Sequence, residues 1–281
     1  MRNEERRPRI LVSNDDGVSA PGIVALTGEL DAIGHVTTVA PSRERSAAGH
    51  SLTLDVPLRA TRLSDKVFSV DGTPTDCVLL AVRKLLPEKP DILVSGINRG
   101  PNMGHDITYS GTVAAAMEGT ILGIPSIAVS MDRSSDGIYD YSFAAVVARR
   151  VTEMVLDRGL PEGALLNVNV PNLPAEAVRG ARLARLGKQV YEDAVVQNTD
   201  PRGRFYYWIG GQETTWTVET DTDFAAVDAG YVSITPIHLD LTDYATMEKL
   251  GDWPRTDIVS SAAGSETARR EPDEPEEDPS S

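Results

Sequence analysis

Two adjacent carboxylates, Asp15 and Asp16, stand in the string NDDG at residues 14–17, directly after the β-prone run RILVS at 9–13. Such neighbours repel unless a proton or a cation lies between them, so the pair reads either as a solvated acidic loop or as the seat of a hard divalent metal. A second group lies in SGINRGPNMG at residues 95–104, whose three glycines allow close backbone approach. Its Asn98 and Asn102 offer amide oxygens to a metal or amide N–H groups to a phosphate, although an ordinary Gly-rich turn has the same composition. A third is Ser110-Gly111-Thr112 at the start of a helical pattern. Free N–H groups, the helix dipole and two hydroxyls make an anion site there without a lysine, while simple N-capping explains Ser110 equally well. The fourth runs from Pro41 to His50, where Ser46 is a candidate metal ligand and Arg43, Arg45 or His50 candidate phosphate contacts.

The flanking pattern says what must position these groups. Residues 9–13 and 35–40 read as β-strands joined by a helix that starts at Pro21, repeats Ile23, Leu26, Leu30 and Ile33, and closes at Gly34. This is a βαβ unit, and its parallel strands aim the loops that follow them at one edge of a sheet. The alternation resumes with a helix over 73–86, a strand over 91–95, a fourteen-residue loop over 96–109 and a helix from Ser110 to Gly123. A strand at 126–130, a helix at 141–158 and a strand at 165–170 follow. The reading is a Rossmann-like, doubly wound α/β fold with a mostly parallel sheet, in which ligands sit beyond the carboxyl ends of the strands. All four candidate groups fall at that edge. Residues 181–219 lose the helical period and carry β-prone aromatic pieces, which predicts a protruding hairpin or oligomerisation arm. Residues 231–235 return to the core, and 243–250 form a short helix.

The 281 residues carry 42 acids against 27 lysines and arginines, a net charge of −15, which disfavours a nucleic-acid groove. No apolar run approaches the ~20 residues needed to span a bilayer. Residues 256–281 are Pro-rich and acidic and are expected to be a disordered tail beyond a domain spanning 1–255, with a core over about 9–175 and the arm and C-terminal segment after it. Cys77 is the only cysteine, so neither an internal disulfide nor a thiolate metal cluster is available. With no signal-like opening segment, a reducing cytoplasm is the expected location. P-loop, dinucleotide, zincin and nucleophile-elbow motifs are missing, and the four histidines lack metal-ligand spacing.

The strings RILVSNDDG (9–17), APSRERSAAGHSLTL (40–54), DGTPTDCV (71–78), DILVSGINRGPNMGHDITYSGTVAAAMEG (91–119), IPSIAVS (124–130) and GYVSITPI (230–237) together resemble the SurE family of survival-protein 5'-nucleotidases. The likeness runs in order from about residue 9 to about 250. It implies a metal-dependent phosphomonoesterase acting on nucleoside 5'-monophosphates, in some members also on 3'-nucleotides and short polyphosphate. Carried over by motif, Asp15, Asp16, Ser46 and Asn98 would ligate one divalent ion, Mg or Mn by preference, and Asn102, Ser110, Gly111 and Thr112 would bind phosphate. Asp15, Asp16 and Asn102 would be the catalytic set. The resemblance also implies a homodimer or homotetramer formed by exchange of a C-terminal segment.

The residue chemistry agrees. A divalent ion on two carboxylates polarises a phosphoryl oxygen and lowers the pKa of a bound water, while a helix N-terminus holds oxygens where charge accumulates. Attack by water, with Asp15 or Asp16 as ligand and base, is the expected route, and an aspartyl-phosphate intermediate is the alternative. A nucleotide sensor without turnover would be expected to lack a metal ligand, and a sugar-nucleotide transferase would need an acceptor.

Overall fold

A computed structural model describes residues 6–134, 137–190, 195–209, 215–216 and 219–253. The acidic tail expected over 256–281 lies outside the described residues. Two compact units divide the chain, the first ending at Leu239 and the second starting at Asp240.

In the first unit, β1 (Arg9–Ser13), α1 (Pro21–Leu30) and β2 (His35–Pro41) form the βαβ opening. A hairpin of β3 (Ala60–Ser64) and β4 (Val67–Val70) follows, then α2 (Pro74–Leu80), β5 (Ile92–Arg99), α3 (Gly111–Ile121), β6 (Ser126–Met131), α4 (Ser142–Arg158) and β7 (Ala164–Val170). After β8 (Ala181–Leu183) come the short pair β9 (Gln189–Val190) and β12 (Thr215–Trp216), the hairpin β10 (Val195–Thr199) and β11 (Phe205–Ile209), then α5 (Asp223–Asp228) and β13 (Val232–His238). The second unit contains α6 (Tyr244–Lys249), N-capped by the Asp243 carboxylate.

Nine strands form one sheet in the order β3-β4-β2-β1-β5-β6-β7-β13-β8, parallel throughout from β4 to β7. Burial on both faces follows the period of two in each strand. Ile10, Val12, Ile92, Val94, Ile127 and Val129 face α1 and α4, while Leu11, Leu93 and Ala128 face α2 and α3. Each fully buried aliphatic side chain contributes about 1.5–3 kcal/mol. The expected doubly wound sheet and the antiparallel hairpin are present. The order reverses between β1 and β5, which opens a crevice at their carboxyl ends.

Local boundaries differ from the sequence reading in three places. The first helix ends at Leu30, and residues 31–34 turn out of it. The helix expected over 73–86 is α2 followed by a π turn over Ala81–Leu85. The third strand does not stop at Ser95 but runs on as β5 to Arg99, with a register break against β6 between Ser95 and Asn98. Gly96 makes that break possible: its φ is +138°, and a Cβ there would stand 2.3 Å from the Val129 carbonyl oxygen.

Candidate active site

The switch-point crevice is a cleft of about 350 Å³. Asp15 and Asp16 enter it from the end of β1, Asn98 and Arg99 from the end of β5, Glu44 and Ser46 from the loop after β2, and Asn102, Asp106, Tyr109 and Ser110 from the segment between β5 and α3. The structure therefore brings the four sequence groups to one place. Gly17, at φ +103°, turns the chain after the acid pair, and the Asn14 side chain braces that turn by bonding the Gly17 N–H and carbonyl.

Asp15 is only 5% exposed. Its Oδ1 accepts the Thr112 hydroxyl, and its main-chain carbonyl accepts the Arg45 N–H at 2.7 Å. Burial pushes the Asp15 carboxyl up to about 6, an effect that the Thr112 hydroxyl offsets in part and the neighbouring Asp16 reinforces. Asp16 is also raised, chiefly by burial and then by Glu44, against the opposing hydrogen bond from the Arg99 N–H to its Oδ2. Both shifts mean that the metal-free pair resists carrying two charges.

Four carboxylates line the cleft against the single guanidinium of Arg99. Such a surface repels a phosphate dianion and attracts a cation. Among the described residues no three His, Cys, Asp or Glu side chains are grouped to hold a metal. Besides Glu44 and Asp106, the donors are the Asp15 and Asp16 carboxylates, the Asn98 amide and the Ser46 hydroxyl. An all-oxygen set of this kind fits a hard divalent ion of the Mg or Mn type and does not suit a softer metal. Ser46 Oγ donates to Glu44 Oε1 at 2.6 Å, and Asn98 Nδ2 donates to the Gly100 carbonyl at 2.8 Å, which leaves its Oδ1 as the atom that could meet a cation.

Beside Asp15, Ser110 caps α3 by accepting the Val113 N–H at 3.1 Å, so capping and a place in the cleft coexist. Gly111 begins the helix against Asp15, and Thr112 is fully buried with its hydroxyl committed to Asp15. Asn102, 7% exposed, donates from its side-chain Nδ2 to Ser130 Oγ at 2.7 Å.

Two of the sequence candidates point elsewhere. Arg45 donates to the Asp71 carbonyl at 3.0 Å, and His50 Nε2 sits 3.0 Å from Oε2 of the buried Glu118. Together with the Gly49 N–H to Tyr109 carbonyl bond, these contacts pin the Ser46 loop rather than offer charge to a ligand. Sequence reasoning gave no role to Glu44 or Asp106, whose signal was only acidity in loops at the right edge. It also passed over Asn167 and Asn169, although asparagines in the buried run LLNVNV were a visible anomaly.

Comparison with known proteins is consistent with this geometry. A family model described as Survival protein SurE matches residues 10–193. The 5'-nucleotidase SurE of Geobacter sulfurreducens is 56% identical over 244 residues, covering 87% of this chain and 93% of the relative. That of Geotalea uraniireducens is 54% identical over 248 residues, covering 88% and 100%. The crystal structure of the SurE protein from Aquifex aeolicus matches with a TM-score of 0.78 at 48% identity, over 86% of this chain and 98% of that one. Matched by that family model over residues 10–193 and more than half identical to these relatives over most of its length, the chain belongs to the SurE family.

Proposed function

We propose that this protein is a metal-dependent 5'-nucleotidase, hydrolysing nucleoside 5'-monophosphates to nucleoside and orthophosphate, with 3'-nucleotides and short polyphosphate as further substrates. The observation that carries this reading is the pairing of a cation-seeking acid cluster with an anion-seeking helix N-terminus in one cleft. The names of the relatives support the same activity.

Asp15, Asp16, Asn98 and Ser46 would hold one divalent ion, Mg or Mn. When bound, it would supply Lewis acidity toward a phosphoryl oxygen and a lowered pKa for water. The main-chain N–H groups at the start of α3 and the Ser110 hydroxyl receive phosphoryl oxygens. Asn102 Nδ2 has two hydrogens, one donated to Ser130 and the second left for the same group. A water oxygen attacks phosphorus in line with the ester oxygen. The water's proton passes to an oxygen of Asp15 or Asp16. The P–O bond to the ribose breaks, and the departing oxygen takes a proton from solvent.

Self-association belongs to the same proposal. Phe205, Tyr207, Trp208 and Ile209 of the hairpin are all more than half exposed, and Leu241, Tyr244, Met247, Leu250 and Trp253 recur every third residue in the second unit. Burial of these surfaces in a homodimer or homotetramer, with exchange of the C-terminal segment, accounts for both. Among the described residues no helix is long and apolar enough to cross a membrane. The single buried thiol, Cys77, suits a reducing cytoplasm.

The test is phosphate release from AMP, GMP and an aryl phosphate after EDTA treatment and re-addition of Mg or Mn, with Asp15→Asn in parallel. Turnover that requires metal and collapses in the variant supports the reading. Nucleotide binding without phosphate release under any metal overturns it, and trapping of a labelled phosphoenzyme would replace direct attack by water with a covalent route.

A further inference from the structure

Asn102 lies in a loop, yet neither of its main-chain hydrogen-bonding groups is bound to backbone. Its N–H donates to Asn169 Oδ1 at 2.8 Å, and its carbonyl accepts from Asn169 Nδ2 at 2.9 Å and from Asn167 Nδ2 at 2.8 Å. The Asn169 carboxamide thus grips both polar groups of one residue, as a neighbouring strand would. The Asn102 side chain is tied separately, to Ser130.

All three anchors are 0% exposed. Asn167 and Asn169 are two apart on β7 and so share a face, and Ser130 of β6 is the register partner of Asn169. Interior positions of this strand otherwise hold Leu165, Val168 and Val170. Two buried carboxamides are a poor choice for stability, since desolvating an amide is costly and Asn167 Oδ1 has no partner among the described residues. Their arrangement makes sense as a mount: bonds to N–H and carbonyl fix the peptide planes on either side of the Asn102 Cα, and Ser130 fixes the rotation of the side-chain amide.

We infer that Asn169 and Asn167, with Ser130, are positioning residues that aim the Asn102 amide at the phosphoryl group. This rests on the reading that Asn102 contacts phosphate. A displacement of about 1 Å in such a group can cost two orders of magnitude in rate, so removing a mount acts at a distance on turnover.

The experiment is a double-mutant cycle in the full-length, Mg-loaded protein, measuring kcat and KM for AMP, competitive inhibition by orthophosphate, and Tm. Asn169→Asp keeps the size and the Oδ1 acceptor but turns the donor that faces the Asn102 carbonyl into an oxygen. The expected result is a loss of about tenfold or more in kcat/KM with weaker orthophosphate inhibition, shrinking to less than about twofold when the same substitution is made in Asn102→Ala. Equal losses in both backgrounds would show a general structural role and overturn the inference, as would no loss in the wild-type background. If Asn102→Ala alone leaves kcat/KM unchanged, the phosphate role of Asn102 fails and the inference falls with it. If Asn102→Ala is impaired while Asn169→Asp is not, only the inference falls. Should Asn169→Asp not fold, Ser130→Ala gives the same cycle through the side-chain anchor, with the same coupling expected and additive losses overturning it.

Discussion

Replacing Gly111 by Ala puts a methyl group where the structure has no room for one. An added Cβ would stand 2.7 Å from Asp15 Cβ, 3.0 Å from Asp15 Oδ2 and 3.0 Å from Pro74 Cγ. None of these is the far end of a flexible chain, because Asp15 is held through Thr112 and through its own carbonyl. Overpacking of this kind costs about 1–3 kcal/mol, against at most about 1 kcal/mol gained from the better helix propensity of alanine. Taking the middle of that range, a net loss of about 1–2 kcal/mol, and about 2–4 °C of Tm per kcal/mol for a chain of this size, a fall of about 2–8 °C is expected. Relief of the clash moves Asp15 out of the cleft geometry, and AMP turnover should drop by one to two orders of magnitude, roughly what a displacement near 1 Å costs. The matched control is Gly28→Ala in α1, where nothing lies within 4 Å of the added Cβ. There the same substitution should stabilise by about 0.5–1 kcal/mol and leave turnover unchanged. Thermal unfolding and phosphate release on the pair decide the matter. If Gly111→Ala matches Gly28→Ala in both, the tight contact between α3 and the acid pair does not exist and the geometry built on it fails.

Other expectations follow from the same contacts. In EDTA, the folded state holds the Asp15 proton more tightly than the unfolded state does, because its carboxyl is raised from 3.8 to about 6. The Asp15 contribution to stability should therefore be fully present below pH 4 and be lost as pH rises through 4 to 6, by about 3 kcal/mol. Urea unfolding across that range should show the slope in the wild type and a shallower one in Asp15→Asn. At pH 7.5, Mg or Mn at about 100 times its Kd should restore about 2.7 kcal/mol, read as a rise in Tm that the Asn variant lacks. Asp223 is fully buried and accepts the N–H groups of Gly104, Gly187 and Phe224, so Asp223→Ala should cost about 3 kcal/mol by equilibrium unfolding and Asp223→Asn less. His50→Ala releases the Ser46 loop at one of its pins, and kcat/KM should fall about three- to tenfold in steady-state assays while Tm shifts little, since the imidazole is only partly buried.

Much of the architecture is local information. The apolar run Ile10-Leu11-Val12, Pro21 at the start of α1 and the Ser110 cap are written in short windows, and the elements begin where those windows place them. The acid pair could be placed at the ligand edge because a βαβ unit has one handedness and one sheet edge for its loops. The hairpin arm was legible from its aromatic texture, but α5 was not. That helix has six residues, too few to be stable by propensity, and it persists because Thr222 caps it and Asp223 is locked to Gly104 and Gly187.

What only the tertiary structure decided concerns partners far apart in sequence. The string SGIN reads as a strand that ends at a glycine, whereas β5 continues past Gly96 because its bare Cα can sit against the Val129 carbonyl, and this carries Asn98 to the cleft. Arg45 and His50 read as phosphate contacts because a sequence shows their charge but not the Asp71 carbonyl and Glu118 carboxylate that occupy them. The Thr112 hydroxyl reads as a phosphate contact, yet it is spent on Asp15, 97 residues earlier. Asn169 reads as a flaw in an apolar strand until the fold lays the Asn102 main chain, 67 residues away, across its carboxamide. Residue type and spacing determine which elements form and which edge they present. Hydrogen-bond pairing across the sheet determines which of the polar groups gathered there remain available to a ligand, because each donor and acceptor can be committed only once the whole chain is in place.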